Sequence, residues 1–258
     1  MAPLKALLFD VDGTLADTER DGHRPAFNAA FADAGLDWEW SEELYGKLLA
    51  VTGGKERIRF YLDKFNTGFE TPADLDGFIA GLHKAKTQHY LAMLGRGAIP
   101  LRPGVKRLID EARAKGLRLG IVTTTTPENV TTLLGSTLGP ESESWFDVIA
   151  AGDIVPAKKP APDIYDWAME QLGLNPDQCL ALEDSANGVK SVLGAGIRSL
   201  VVTVNGYTQD EDVSGASLVV DQLGEHGSPC RVLSGQDTAL TQIDVDVLCR
   251  LHEQTHMG

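Results

Sequence analysis

From residue 103 onward, short apolar runs alternate with segments of helical spacing, and this alternation limits the possible folds more than any other feature of the chain. The spacing predicts a helix over 103–115 closed by Gly116, a strand over 117–123 and a helix over 127–138. It continues with a strand over 146–150, a helix over 161–172 ended by Gly173, a strand over 179–182, a helix over 185–195 ended by Gly196, and a strand over 199–204. Apolar runs without polar alternation suit strands buried on both faces, and strand following helix in turn requires parallel pairing with helical crossovers. The expected fold is α/β, a doubly wound parallel sheet of Rossmann-like type. The run Leu4-Lys5-Ala6-Leu7-Leu8-Phe9 adds a first strand, and the tail adds a short strand over 218–220, an irregular Gly- and Ser-bearing stretch, and a helix near 246–252.

Between the first strand and this alternation the pattern changes. Helical spacing runs through Ala26, Phe27, Ala30 and Phe31, then Leu44 and Leu48, then Ile58, Tyr61 and Leu62, then Phe78, Leu82, Tyr90 and Leu94. An all-helical cap inserted after the first strand is therefore expected over 17–97, with the α/β core formed by 1–16 and 98–258. A chain of 258 residues with 43% hydrophobic content can bury such a core together with an insert. No apolar stretch approaches the roughly 20 residues of a membrane span, and the first residues lack a signal-peptide pattern. A cytoplasmic protein with no membrane partner is expected. The formal net charge of −14 argues against nucleic acid as a partner, because phosphate-backbone binding relies on clustered Lys and Arg. A small phosphate ester needs only a locally positive pocket and stays admissible. Cys179, Cys230 and Cys249 are odd in number and lack metal-site spacing, so inert thiols are expected.

The chemistry gathers where the predicted strands end. Asp10-Val11-Asp12-Gly13-Thr14 follows the first apolar run and thrusts two carboxylates into one crevice, with Gly13 supplying a tight turn. Like charges so close call for a shared cation or proton. The pair suits a nucleophile beside a proton donor. An EF-hand also begins with two such aspartates, but its required later positions hold Thr14, Leu15 and Asp21. The strand over 117–123 ends in Thr123-Thr124-Thr125-Thr126, hydroxyls and N–H groups entering a helix N-terminus that favours anions. Thr126 serves equally well as a simple N-cap. In Lys158-Lys159-Pro160-Ala161-Pro162-Asp163 one lysine can be held as a fixed positive charge while the other faces solvent. Finally Glu183-Asp184-Ser185 offers a second acid pair, hard oxygen ligands suited to Mg or caps for the next helix, with Ser185 the better cap.

Together, in this order, D-x-D-G-T, a strand ending in Thr, K-P-x-P-D and E-D-S-x-x-G resemble the four motifs of the haloacid dehalogenase-like phosphohydrolases, over the whole chain. The helical insert resembles the cap of their β-phosphoglucomutase-like branch. Residues 17–24, 53–58 and 82–87 are similar to the CbbY proteins of autotrophs, which remove a phosphate from xylulose 1,5-bisphosphate, an inhibitory by-product of Rubisco. The resemblance implies that Asp10 attacks phosphorus to form an aspartyl-phosphate, and that Asp12 protonates the leaving oxygen and later activates water. Thr123 and Lys159 would offset charge on the transferring group. Mg would be held by Asp10, the Asp12 carbonyl and Asp184, with Glu183 acting through water. Asp12 sets the chain apart from true dehalogenases, which lack the second aspartate.

The cap is expected to set specificity for a small sugar bisphosphate. Lys55 and Arg57 are the candidates for a distal phosphate, Asp17 and His23 for sugar hydroxyls, Lys84 or Lys86 for further phosphate contact, and Thr124 and Thr125 for the reacting phosphate. Hydrolysis of the 1-phosphate to leave xylulose 5-phosphate is the expected reaction, by a protein expected to act as a monomer. A phosphomutase of the same fold and a non-catalytic sugar-phosphate sensor are the competing readings. The mutases carry an arginine where Lys55 aligns, and a pure binder has no need of both Asp10 and Asp12. Other signals are set aside. His252-Glu253-Gln254-Thr255-His256 has the H-E-x-x-H zinc spacing but is expected to lie in a solvated tail. Gly53-Gly54-Lys55 is no P-loop, since position 49 is Leu49, and no G-x-S-x-G occurs.

Overall fold

The computed structural model describes residues 2–51 and 53–257. They form two compact units, Met1–Asp17 with Pro100–Gly258, and Thr18–Ile99.

The first unit is built on a seven-stranded sheet in the order β3-β2-β1-β4-β5-β6-β7. Its strands are β1 (Ala6–Phe9), β2 (Arg118–Val122), β3 (Val148–Ala150), β4 (Cys179–Glu183), β5 (Ser199–Thr203), β6 (Leu218–Val220) and β7 (Val232–Ser234). The first six are parallel, as the alternation predicts, and β7 runs antiparallel to β6. Every residue of β1 and β4 is buried, the mark of strands covered on both faces. One face packs against α7 (Asp163–Leu172) and α8 (Ala186–Gly194) through Ala6, Leu8, Ala181 and Val202 against Tyr165, Ala168, Met169, Val189 and Val192. Helix α5 (Val105–Ala114) contacts β2, α9 (Val245–Met257) contacts β5, and these two helices contact each other. Helix α6 (Pro127–Thr137) links β2 to β3. Strand order reverses between β1 and β4, so their carboxyl ends form the switch point at which open α/β sheets place their sites.

Two expectations for the tail are corrected. The stretch expected to be irregular holds β7, a three-residue edge strand whose Leu233 is 52% exposed, so no burial pattern marked it. The H-E-x-x-H segment is no solvated tail: α9 continues to Met257, and His252 is buried. Its Nε2 lies 3.3 Å from the Ala2 carbonyl, leaving Nδ1 to accept from the Ser199 hydroxyl at 2.8 Å. Burial lowers its pKa, in keeping with a neutral ring, and both nitrogens are engaged, which leaves none for zinc. The cysteines are free thiols, and burial pushes Cys179 up to about 12.

The second unit is helical: a π-helical turn at Glu19–His23, then α1 (Arg24–Asp33), α2 (Glu42–Leu48), α3 (Gly54–Lys64) and α4 (Leu75–Gly95). Ser41 and Asp74 cap α2 and α4 by accepting from Leu44 N and Gly77 N. The core is aromatic, with Phe27 and Phe31 of α1 meeting Trp40, and Trp40 meeting Tyr45 and Tyr61. Trp38 and Trp40 lie in the non-helical segment before α2, where the backbone of Trp40 exchanges two hydrogen bonds with the Asn28 amide, at 2.9 and 3.1 Å. Among the described residues no helix is long and apolar enough to cross a membrane.

Candidate active site

Strand periodicity assembles the core of the site. Ala6 and Leu8 of β1 and Ala181 of β4 face the same helices, so Asp10 and Glu183, each two residues further along, continue on that face. Phe9 pairs with Leu182, and the Asp10 N–H continues the ladder by donating to the Leu182 carbonyl at 3.0 Å. The next side chains in register are thus two carboxylates on neighbouring strands, an arrangement that repels. Lys159 resolves it. Its Nζ donates to Asp10 Oδ1 at 2.8 Å, to Glu183 Oε1 at 2.6 Å and to the Val122 carbonyl at 2.8 Å. Burial opposes the ammonium charge, but Asp10 and Glu183 outweigh it and hold the lysine above its ordinary range. Its neighbour Lys158 points outward to Asp153, so Lys159 is the lysine held in place.

Glu183 needs two further accommodations. Tyr165 of α7 donates its hydroxyl to Glu183 Oε1 at 2.5 Å, and burial above all raises the phenol's pKa. Helix α8 passes so close that a Cβ at Gly188 would collide with the carboxylate, which explains the glycine of E-D-S-x-x-G. Burial, partly offset by Lys159 and reinforced by Asp10, pushes Glu183 from an ordinary 4.5 up to about 7. Asp184 is buried as well and shifts upward, by desolvation first and then by Asp10 and Glu183. Asn205 donates its amide to Asp184 Oδ2 at 2.8 Å. Gly13, at φ 86°, turns the chain after Asp12 where a Cβ would strike Asp184 and Asn205.

Carboxylate oxygens of Asp10, Glu183 and Asp184 all lie within 4.8 Å of one another. Fully ionised, these three carry two more charges than the Lys159 ammonium bonded to them neutralises. A buried, all-oxygen set with that deficit fits a divalent magnesium ion. Asp12 stands half-buried in the turn that follows, bridged to Ala16.

Thr123 is buried at the tip of β2, its Oγ1 accepting from Thr125 N at 3.2 Å, while Thr124 is exposed. Thr125 Oγ1 accepts from the Asn129 amide, and Thr126 is the N-cap of α6. Ser185 caps α8, which leaves Glu183 and Asp184 to the cluster. Asp17, in the same unit, has Oδ1 3.4 Å from Arg102 Nε.

The other candidates belong to the second unit. Lys86 and His23 meet, Nζ to Nδ1 at 2.6 Å; His23 stacks on Tyr90 with centroids 3.9 Å apart, and Lys86 lies over the rings of Phe27 and Tyr90. Burial first, then Lys86 and Arg57, holds the His23 pKa well below its ordinary value, so its ring is neutral and accepts from the ammonium. Lys84, two residues before Lys86 on α4, is exposed, because that spacing turns it away from the buried face. Lys55 is exposed at the start of α3. Arg57 is 8% exposed and donates to Tyr45 Oη at 2.7 Å, while Tyr45 donates to Glu19 Oε2 at 2.5 Å.

Sequence reasoning missed Asn205, Arg102, Tyr165, Glu19 and Tyr45. The Asn205-Gly206 pair is a turn signal directly after a strand and could have drawn attention to Asn205. Glu19 lies within residues 17–24, already singled out for their resemblance, and Arg102, Tyr165 and Tyr45 carried no local mark.

The family described as haloacid dehalogenase-like hydrolase matches residues 4–196. CbbY of Rhodobacter capsulatus is 51% identical over 220 residues, 85% of this chain and 94% of that protein. A mutant of CbbY from Rhodobacter sphaeroides, solved in complex with xylulose 1,5-bisphosphate, superposes with a TM-score of 0.74 at 45% identity, covering 87% of this chain and 98% of its own. The phosphorylated carbohydrates phosphatase of Thermotoga maritima is 26% identical, covering 78% and 86% of the two chains.

A carboxyl raised in the folded protein holds its proton where the unfolded chain has lost it. Glu183 therefore favours folding below about pH 4.5, and that contribution is lost as the pH rises through about 7; Asp184 acts with the same sign. In chelator, stability measured by urea unfolding at about pH 5 and about pH 8 is expected to fall less in Glu183→Gln than in the parent. Parallel falls in the two proteins would refute the burial cost assigned to Glu183.

Proposed function

The chain belongs to the haloacid dehalogenase-like hydrolase family, and from that premise we propose that it is a magnesium-dependent sugar-phosphate phosphatase working through an aspartyl-phosphate on Asp10. The observation that carries this reading is the Lys159 ammonium bonded at once to Asp10 and Glu183, with Asp184 in the same buried cluster. A binding protein gains nothing from a nucleophile held against a fixed cation, whereas phosphoryl transfer requires both.

In the proposed reaction an Asp10 oxygen bonds to phosphorus in line as the bond to the sugar oxygen breaks, and Asp12 in its acid form gives that oxygen a proton. Asp12 then takes a proton from water, whose oxygen displaces Asp10 and releases inorganic phosphate. Lys159 and Thr123 offset charge on the transferring group, with Thr124 and Thr125 assigned to its oxygens. Asp10, the Asp12 carbonyl and Asp184 would hold the metal, with Glu183 through water. When bound, magnesium supplies charge neutralisation at the carboxylates and the phosphoryl group.

The proposed substrate is xylulose 1,5-bisphosphate, losing its 1-phosphate to leave xylulose 5-phosphate and so removing a Rubisco inhibitor. The complex of a 45% identical protein with that sugar supports the choice. Lys55 and Arg57 are assigned to the second phosphate, Asp17 and His23 to sugar hydroxyls, and Lys84 or Lys86 to further phosphate contact. Arg57 Nε, buried and without a hydrogen-bond partner among the described residues, supports its share of this assignment.

Phosphate release from xylulose 1,5-bisphosphate tests the reading, and isomerised ester in place of released phosphate would make the protein a mutase. Asp10→Asn is expected to abolish turnover with the fold retained, since the amide keeps the volume but cannot attack; more than trace activity in a clean preparation removes Asp10 from the role. Chelation by EDTA should silence the enzyme and Mg restore it, and full activity in exhaustively chelated protein would exclude the metal. Lys55→Ala should lower kcat/KM for the bisphosphate by about 1.5 to 3 kcal/mol while p-nitrophenyl phosphate, with no second dianion, is hydrolysed nearly as before. Equal losses on both esters would remove Lys55 from specificity.

A further inference from the structure

Arg102 is 7% exposed, and its guanidinium faces backbone oxygens more than acids. Nη1 donates to the Gly13 carbonyl, to the Thr203 carbonyl at 2.8 Å and to Thr203 Oγ1 at 3.1 Å. Nη2 donates to the carbonyls of Val204 and Asp221, each at 2.7 Å, and Nε lies 3.4 Å from Asp17 Oδ1. The Arg102 N–H also donates to the Leu15 carbonyl at 2.8 Å. One planar fork thus joins the turn after β1 to the ends of β5 and β6.

Two of these acceptors stand next to residues of the site. Gly13 directly follows Asp12, and both peptides that flank it are held: its N–H donates to the Ala16 carbonyl at 2.8 Å, and its carbonyl accepts from Arg102. Val204 directly precedes Asn205, the amide partner of Asp184. We infer that Arg102 is a positioning residue for proton transfer, its guanidinium fixing the Gly13–Thr14 peptide, directly after Asp12, against the β5 end so that the Asp12 carboxyl meets the leaving oxygen. The inference rests on the acid role proposed for Asp12. Lysine cannot replace the fork: an ammonium is a compact point charge with donors in another geometry, and it would leave buried carbonyls without partners.

A displaced acid has a signature that loss of fold lacks. Protonating the leaving oxygen matters for phenoxide and far less for p-nitrophenoxide, a much better leaving group, and the two esters are alike in shape. The test compares kcat/KM for phenyl phosphate and p-nitrophenyl phosphate in the parent, Asp12→Asn and Arg102→Lys. Both rates come from one preparation, so an unfolded fraction cancels from their ratio.

Asp12→Asn should lose about 100-fold more on phenyl phosphate than on the nitro ester, and Arg102→Lys about 10-fold more, within the range that a positioned acid supplies. Thr203→Val, which removes one acceptor and no backbone bond, should move the ratio the same way by about 2-fold. If Asp12→Asn is selective while Arg102→Lys and Thr203→Val lose equally on both esters or on neither, the positioning role is overturned alone. Equal losses in Asp12→Asn overturn the acid role of Asp12 and this inference with it.

Discussion

The pairing register of two central strands creates the problem that the first unit is organised to solve. With Phe9 opposite Leu182, the residues that leave β1 and end β4 are both acidic and project from one face of the sheet. Lys159 answers that repulsion, and its position depends on the chain between β3 and α7 returning to the end of β2, where the Val122 carbonyl takes a third bond from the ammonium. Tyr165 and the bare backbone of Gly188 complete the surroundings of Glu183. A buried carboxylate pair and the cation fixed against it are thus consequences of one register, and slipping it by a residue would turn the acids to the other face.

A different rule governs two arginines of the same unit. Arg102 serves the ends of β5 and β6 and the turn after β1, and Arg107 donates to the carbonyls of Leu223, Gly224 and Ile243 at 3.0 to 3.2 Å. Here the chain has left regular structure, and its carbonyl oxygens have no ladder to enter. Buried backbone acceptors must be paired, and a guanidinium with five donors in a plane can satisfy several at once. Charge is used at the centre of the sheet to hold acids together, and toward its edge to hold loops down.

This division explains what could be read from the sequence. The alternation over 103–204 announced the parallel sheet because its central strands are buried on both faces and leave apolar runs; the observed strands differ from the expected ranges by a few residues at their ends. Ser185 and Thr126 could be weighed as caps because capping is a local matter of three residues. Arg102 and Tyr165 were not legible, since the partners of their side chains lie far along the chain, 18 residues away for Tyr165 and 89 or more for the carbonyls Arg102 serves, and nothing beside them marks the pairing. The same blindness misjudged His252: its place near the end of the sequence suggested a solvated tail, yet its environment is set by Ser199 and by Ala2. β7 escaped notice because a three-residue edge strand buries too little to leave a pattern.

The four tryptophans divide between the two units, Trp38 and Trp40 in Thr18–Ile99 and Trp145 and Trp167 in the other. Trp40 is wholly enclosed by rings, and its indole Nε1 has no hydrogen-bond partner among the described residues. Trp145 instead lies beneath the Arg113 guanidinium at 3.8 Å, a cation against its π-face. Emission from an apolar cage is blue-shifted, whereas a charge stacked on indole alters its excited state directly. The chain therefore carries a native optical label in each unit, and variants retaining one pair or the other can follow the melting of either half separately without an attached dye.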